Sequence, residues 1–382
     1  MSGARDLLQA CPQPPHFSLD WELLLREHAF LRAMIGVEQD PEHHAEGDVA
    51  THTRMVCEAL LAMPAYAALP ATERAVLFAA AVLHDVAKPR CTVVEQGRIR
   101  APFHAPRGAV MARAILWRMG APFALREQVV ALVQHHQVPF YAIDRPDPRR
   151  AAILAAETAR CRLLTILAEA DARGRICKEP QRLLDQVTMF GELCVEHGVL
   201  DAPHPFASDH SRFLYYRTPG RDPAYLAHDD TRGEVVLMSG LPGVGKSHYI
   251  ETRLAGWPRV SLDQLREDLE VDPRDGQGLV AAQAREAARV HLRVGRPFVF
   301  DATSLTRKVR ARLLDLVTSY RGRTKIVYVE VPADVQARQN RARPRRVPAA
   351  AIERMLSLWQ VPDRTEAHAV EYVVTDAARG RA

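Results

Sequence analysis

The stretch VVLMSGLPGVGKS, residues 235–247, decides how the second half of this 382-residue chain folds. Residues 235–239 read as a short apolar strand. Gly240, Leu241, Pro242, Gly243, Val244, Gly245, Lys246 and Ser247 then fill the pattern Gly-x-x-x-x-Gly-Lys-Ser. That pattern works where a strand precedes it and a helix follows, because its backbone N–H groups must wrap phosphate oxygens at a helix N-terminus. Both are expected here. Gly240, Gly243, Val244, Gly245, Lys246 and Ser247 are therefore expected to bind ATP or another NTP. Lys246 would bridge the β- and γ-phosphates and Ser247 would ligate Mg²⁺.

Outward from the loop, the rhythm is strand and helix in turn. Residues 298–300 end in Asp301, residues 325–331 are rich in Val and Ile, and 370–374 reads as a last strand. Helical stretches between them predict a parallel sheet with helices on both faces. Ser261-Leu262-Asp263-Gln264-Leu265-Arg266 falls at the expected exit of a second strand. A carboxylate there, Asp263, can accept the proton of an attacking hydroxyl. Arg266, one helical turn on, can hold an acceptor's phosphate by two parallel N–H bonds. The plainer reading is an N-cap at a helix start. Asp301 would hold a metal-bound water or orient an arginine. The segment 338–348, RQNRARPRRVP, is dense in guanidinium groups. It reads as a lid that closes over a triphosphate and neutralises its charge, with Arg338 and Arg343 as the chosen arginines. A solvated basic face is the plainer alternative.

The first half has a different texture. Residues 17–178 read almost wholly as helix, with periodic apolar positions at 48–61 and 72–86 and further helices at 107–119, 122–134, 149–173 and 181–197. No alternating strand pattern is expected there. His52, His84 with Asp85, His104, His135 with His136, and Asp171 are distributed over these helices. Imidazole and carboxylate together suit a divalent transition metal such as Mn²⁺, Ni²⁺, Co²⁺ or Zn²⁺. Such an ion lowers the pKa of a coordinated water from roughly 15.7 toward about 7, and hydroxide can then attack phosphorus in line. Whether His135 or His136 is the ligand stays open at this level. His43 and His44 read as a solvated turn before a helix.

The expected architecture is multidomain: an all-α bundle over 1–197, a linker over 198–232, and an α/β domain with a parallel sheet over 233–382. The linker is Pro-, Gly- and Asp-rich, yet Phe213, Tyr215 and Tyr216 argue that it is packed. With 47% apolar and 25% charged residues, the chain can bury ordinary cores. No apolar run approaches the roughly 20 residues that span a bilayer, and residues 1–15 carry no signal-type stretch. A cytoplasmic protein without membrane attachment is expected. The six cysteines, all before residue 200, show no Cys-x-x-Cys spacing, which fits reduced, packed thiols. Net charge is +5, compatible with a polyanionic substrate. Only Lys88, Lys178, Lys246, Lys308 and Lys325 are lysines, so those at 88 and 246 stand out.

These motifs carry a resemblance. From Pro41-Glu42-His43-His44-Ala45-Glu46-Gly47-Asp48 through His52, Leu83-His84-Asp85-Val86-Ala87-Lys88-Pro89, Phe103-His104, residues 134–139 and Ala168-Glu169-Ala170-Asp171-Ala172, the first half resembles the HD-domain phosphohydrolase superfamily. It most resembles the HD domains attached to tRNA nucleotidyltransferases and related cyclic phosphodiesterases. The resemblance implies that His52, His84, Asp85 and Asp171 bind a first metal. It implies that His104 and His136 bind a second metal or the substrate phosphate, with His136 favoured over His135 because Pro139 follows three residues on. Lys88 would meet the scissile phosphate. Ala87 departs from the glycine of many relatives. The second half resembles the polynucleotide 5′-kinase family through its phosphate loop, Asp263 with Arg266, Asp301-x-Thr303, and a lid with Asn340, Arg343 and Val347-Pro348. Gln339 departs from the arginine that relatives often carry.

The order of the halves resembles the bacterial HD-Pnk family of end-healing enzymes. That resemblance implies hydrolysis of 2′,3′-cyclic or 2′-phosphate ends by the first domain. It implies transfer of an NTP γ-phosphate to a polynucleotide 5′-OH by the second. RNA or DNA ends would be the substrates, and a nucleic-acid ligase would act downstream. The alternatives are a small-molecule or nucleoside kinase fused to an HD nucleotidase, or an ATP-operated switch on an HD module.

Overall fold

A computed structural model describes residues 6–271 and 277–376. The extreme ends of the two expected domains, 1–5 and 377–382, lie outside the described residues. The chain divides into two compact units, Met1–His204 and Pro205–Ala382.

The first unit is a helical bundle. Its central helices carry polar residues on their buried stripes, and this is what builds a site. In the helix Val49–Ala62 the buried positions Val49, His52, Val56 and Leu60 recur at helical spacing, so His52 faces the core. Asp48 caps that helix by accepting a bond from Thr51 N–H at 2.8 Å. In the helix Cys161–Arg173 the same logic places Leu164, Leu167 and Asp171 on one buried face. The helix Ala71–Leu83 is buried at every position from Val76 to Leu83, so its end is held deep in the bundle. It packs against both of the others.

Two features depart from the expected all-helical reading. Val93–Glu95 (β1) and Arg98–Arg100 (β2) form an antiparallel hairpin. Gln96 and Gly97 both take left-handed backbone, φ 52° and 74°, the twist that a two-residue hairpin turn demands. The strands are too short and too exposed to show alternation in the sequence. The expected helix at 149–173 is two helices, Pro148–Ala156 and Cys161–Arg173, with extended backbone at Arg160 between them.

The second unit is α/β. Glu234–Ser239 (β3), Arg259–Ser261 (β4), Phe298–Asp301 (β5), Arg323–Glu330 (β6) and Ala369–Val374 (β7) make one sheet in the order β4-β5-β3-β6-β7. Every neighbouring pair is parallel. Val235, Leu237, Phe298, Phe300 and Ile326 pack with Leu313, Leu314 and Val317 from the helix Arg307–Ser319 as the core. The order reverses at β3, and crevices of parallel sheets open at the carboxyl ends of strands where such a reversal occurs. The phosphate loop leaves β3 at that point. The register pairs Ser261 with Asp301. Gly240 N–H donates to Thr303 O at 2.9 Å and Ser239 Oγ to Ser304 O at 3.1 Å, so the loop after β5 is lashed to the end of β3.

Much of the segment 198–232, expected as linker, belongs to this unit. The helix Asp209–Arg217 is capped by Ser208. Phe213 stacks on His368 with centroids 4.0 Å apart, and Arg212 donates to the carbonyl of His368. Among the described residues no helix is long and apolar enough to cross a membrane.

The strongest buried ion pair in the second unit is Arg310 with Glu366, joined by two parallel bonds of 2.8 and 2.7 Å. Arg310 also donates to Ser304 O and Gln360 O, which ties the loop after β5 to the segment before β7. Removing one partner leaves a buried charge uncompensated. Arg310→Ala is expected to cost about 3–5 kcal/mol of that unit's stability, read by denaturant unfolding. Replacing both partners with apolar residues of similar size is expected to recover most of it.

Candidate functional sites

In the first unit five elements deliver their polar groups to one point. His84 caps the C-terminus of the helix Ala71–Leu83, and Asp85 follows it. His136 caps the C-terminus of Phe123–His135, and His104 opens His104–Arg118. Three imidazoles use Nδ1 in the same way. His84 Nδ1 lies 2.8 Å from Ala81 O, His104 Nδ1 2.7 Å from Ala101 O, and His136 Nδ1 2.7 Å from Val133 O. A carbonyl only accepts, so each Nδ1 carries the proton. For His84 and His136 the carbonyls belong to last helical turns, whose C=O groups need a partner. Each neutral ring is thereby left with a bare lone pair on Nε2.

Those lone pairs meet. His84 Nε2 is 3.4 Å from His52 Nε2, and His104 Nε2 is 3.3 Å from His136 Nε2. The carboxylates join them: His52 Nε2 is 3.2 Å from Asp171 Oδ1, His84 Nε2 3.2 Å from Asp85 Oδ2, and His104 Nε2 3.3 Å from Asp85 Oδ1. Asp85 Oδ1 is buried without a hydrogen-bond partner. Two lone pairs at such separations repel, and a buried carboxylate oxygen left unsatisfied is costly. A cation between them removes both penalties, so the residues present fit a metal. Two of three possible ligand groups share this centre, His52–His84–Asp85 and Asp85–His104–His136, with Asp85 common to both; the third, His44–Glu46–His52, adjoins them through His52.

The electrostatics favour positive charge at this point. Burial opposes ionisation of Asp85, yet Lys88 and His84 beside it hold it well below the usual carboxylate range. Burial likewise opposes ionisation of Asp171, and Arg175 and His52 overcome it. For His84, Asp85 and Asp171 outweigh burial and raise the pKa. Burial together with His104 and His84 pushes His136 down to about 3, so its ring is neutral near pH 7, as a ligand must be.

The structure separates the two adjacent histidines. His136 joins the cluster; His135, about 100° round the helix, lies with Nε2 3.0 Å from Thr158 Oγ1 and is in none of the ligand groups. His44, expected in a solvated turn, is part-buried, and Glu46 lies 2.8 Å from both His44 Nδ1 and His52 Nδ1. Glu46 also accepts from Ile176 N–H at 2.8 Å. It therefore stands behind His52 as the carbonyls stand behind the other three rings. Lys88 Nζ sits 2.7 Å from Asp85 Oδ2 and donates to Gln39 Oε1 at 2.6 Å. Arg175 donates to Asp171 Oδ1 at 2.7 Å. Glu46, Gln39 and Arg175 escaped the reading of the sequence. Only Arg175, four residues after Asp171, had a spacing that could have revealed it.

The second site surrounds the phosphate loop. Gly240, Gly243 and Gly245 have φ of 143°, 81° and 101°. A Cβ on Gly240 would fall 2.4 Å from Val329 O, and one on Gly243 3.0 Å from Asn340 N. A side chain at either position would collide with the strand or the helix that the loop packs against, so glycine is what lets the backbone approach them this closely. Lys246 opens the helix Lys246–Arg253, with Nζ donating to Gly240 O and Leu241 O at 2.9 Å each. Burial pushes its pKa down to about 8, opposed by Asp301 and assisted by Arg343. Ser247 is exposed on the next position of that helix.

Asp263 and Arg266 sit on the helix Leu262–Asp268, and Arg266 donates to Asp263 at 2.6 Å. Asp263 keeps 75% of its side chain exposed, so it remains open to an incoming hydroxyl. Asp301 accepts from Arg259. The lid arginines differ. Arg338 pairs with Asp334 on its own helix at 2.9 Å, while Arg343, past the end of Ala333–Ala342, is near enough to act on Lys246. Asn340 clamps the lid turn through both amide atoms to Val347, and Gln336 donates to Pro242 O at 2.7 Å. Arg345 of the lid pairs with Glu267, on the helix that carries Asp263.

Removing Glu46 frees the His52 ring while leaving every ligand in place. Glu46→Ala is expected to weaken divalent-metal affinity about 10–100-fold in a calorimetric titration of Mn²⁺. His136→Ala is expected to lower the bound metal per chain, and His135→Ala to leave both quantities unchanged.

Residues 235–362 match the family model described as an AAA domain. The chain is 36% identical over 112 residues to a "Multifunctional CCA protein" of Halorhodospira halophila, 29% of this chain and 25% of that relative. It is 33% identical over 150 residues to a protein of the same description from Cupriavidus metallidurans, 37% of this chain and 33% of the relative. The chain thus covers a third or less of the length of these curated relatives. A solved structure described as a candidate kinase from Chloroflexus aurantiacus aligns with 38% of this chain and 86% of its own, at 18% identity and a TM-score of 0.32.

Proposed function

We propose that the chain is a bifunctional end-healing enzyme. Its first unit hydrolyses 2′,3′-cyclic or 2′-phosphate ends, and its second transfers the γ-phosphate of ATP or another NTP to a polynucleotide 5′-OH. The observation that carries this reading is one polypeptide holding an imidazole–carboxylate cluster beside Lys88 and a phosphate loop beside the exposed Asp263. RNA cut by transesterification ends in a cyclic phosphate and a 5′-OH, whereas ligation needs a 3′-OH and a 5′-phosphate. The two chemistries together convert one pair of ends into the other. RNA or DNA ends are the substrates of this reading, and a ligase is its downstream partner.

In the first unit His52, His84, Asp85 and Asp171 would hold one divalent cation, and His104 and His136, with Asp85, a second cation or the substrate phosphate. The cation supplies Lewis acidity toward the phosphate and acidifies water. Lys88 places a positive charge beside Asp85, where it can meet a phosphate oxygen. Arg175 orients Asp171. In the second unit the loop N–H groups and Lys246 bind the donor phosphates, with Ser247 placed for Mg²⁺. Asp263 accepts the proton of the attacking hydroxyl once an acceptor's phosphate draws Arg266 away from it. Arg343 neutralises charge on the donor from the lid.

A radiolabelled NTP and a 5′-OH oligonucleotide test the second activity, and an oligonucleotide ending in a cyclic phosphate tests the first. Asp263→Ala is expected to lower kinase activity about 10²–10⁴-fold and spare the phosphoesterase. Asp85→Ala is expected to abolish the phosphoesterase and spare the kinase. Loss of both activities with either change would sink the two-site reading. Phosphorylation of free nucleosides in preference to oligonucleotides would move the substrate class to small molecules.

A further inference from the structure

The metal cluster opens into a cavity of about 700 Å³. The mouth of this cavity carries two aromatic rings that neither folding nor the cluster explains. Phe103 lines it and is 72% exposed. Its backbone is left-handed, φ 59° and ψ 19°. That conformation is a genuine outlier for a bulky residue and suits glycine. An exposed apolar ring gains nothing from burial, so neither the backbone nor the core calls for phenylalanine here.

Tyr141 lines the same cavity, 52% exposed. Contacts tie both residues to the cluster. Phe103 directly precedes His104. Tyr141 meets the buried Phe140 edge to face at 6.4 Å, and Arg175 stands over the Phe140 ring at 5.3 Å while binding Asp171. Arg100, from β2, lines the cavity as well and is exposed. Exposed rings beside guanidinium groups suit a flat, π-bearing anion. Stacking of a base on an aromatic ring is tolerant of sequence, because every base presents a π-face.

We propose that Phe103 and Tyr141 form a stacking platform for the nucleobase of the terminal nucleotide whose phosphate enters the metal cluster, which makes the cavity specific for nucleotide ends. This rests on the phosphoesterase reading of the same site. Phe103 lines the cavity one residue before His104. The platform contributes to substrate binding and not to the bond-breaking step.

The test uses the full chain loaded with Mn²⁺ and two single-stranded oligonucleotides ending in a 2′,3′-cyclic phosphate, one with its terminal base and one abasic at that nucleotide. Phe103→Gly relieves the backbone strain and removes the ring. It is expected to raise KM for the base-bearing end about 5–100-fold, with kcat and bound metal unchanged and the abasic end unaffected. Phe103→Trp is expected to keep wild-type KM, and Tyr141→Ala to act in the same direction as Phe103→Gly. An equal effect of Phe103→Gly on both ends, or no effect on either, would overturn the proposal. Should the wild type turn over neither end, the phosphoesterase reading fails. The platform is then judged by calorimetric binding of the same two oligonucleotides. Preference for the base-bearing end that Phe103→Gly abolishes supports it, and absence of that preference in the wild type overturns it. The kinase-like unit is identical in all variants, so differences between them report the cavity alone.

Discussion

Three imidazoles of the first unit, His84, His104 and His136, give their Nδ1 protons to carbonyls three residues earlier in the chain. This small constraint governs much of what the unit can do. It settles each tautomer, aims each Nε2 lone pair inward, and satisfies backbone oxygens at the helix ends. Four lone pairs and two carboxylates then share a buried space that is electrostatically incomplete without a positive charge. Glu46 extends the same device to His52 by means of a side chain. Outer partners of this kind set ligand orientation and basicity as much as the ligands do. The bundle is therefore better regarded as a holder for helix ends than as a core that happens to contain histidines.

The second unit depends on a different constraint, close approach of backbone to backbone. Gly240 and Gly243 lie where a Cβ would strike Val329 or the start of the last turn of the lid helix. That lets the loop curl tightly and brings Asn340 and Gln336 onto it. The lid is thereby fastened to the loop through Gln336 and to the helix bearing Asp263 through Arg345. The phosphate loop, the helix bearing Asp263 and the segment after Ala333–Ala342 are one connected set of polar contacts. Arg310 and Glu366 brace the same region from behind by holding the loop that follows β5.

In the proposed reading the two units meet phosphate by opposite means. One would use buried imidazoles and carboxylates to hold a cation that meets the phosphate. The other would present N–H groups and a lysine directly. Neither arrangement can substitute for the other, since the first needs net negative ligands and the second needs positive donors. Residues placed on a buried helical stripe despite being polar, His52 and Asp171, mark the first kind of site. Glycines that no side chain could replace mark the second.

Motif order and periodicity in the sequence sufficed for the phosphate loop, the parallel sheet, the helical first half and the residues that gather in the imidazole–carboxylate cluster. These features are local: a loop's φ angles, a stripe's spacing and a strand's apolar run are written in neighbouring residues. The resemblance favoured His136 over His135, and the rotation of one helix is what carries His136 and not His135 into the cluster. His44 and Glu46 look like a polar turn until folding carries them against His52. The hairpin β1–β2 is too short and too exposed for its pattern to be read. The pairings of Gln39 with Lys88 and of Asp301 with Arg259 join residues remote in sequence. Chain order determined which chemical groups were available; only tertiary packing decided which of their lone pairs, carboxylates and rings would meet, because those distances are set by how helices and strands pack and not by any single stretch of sequence.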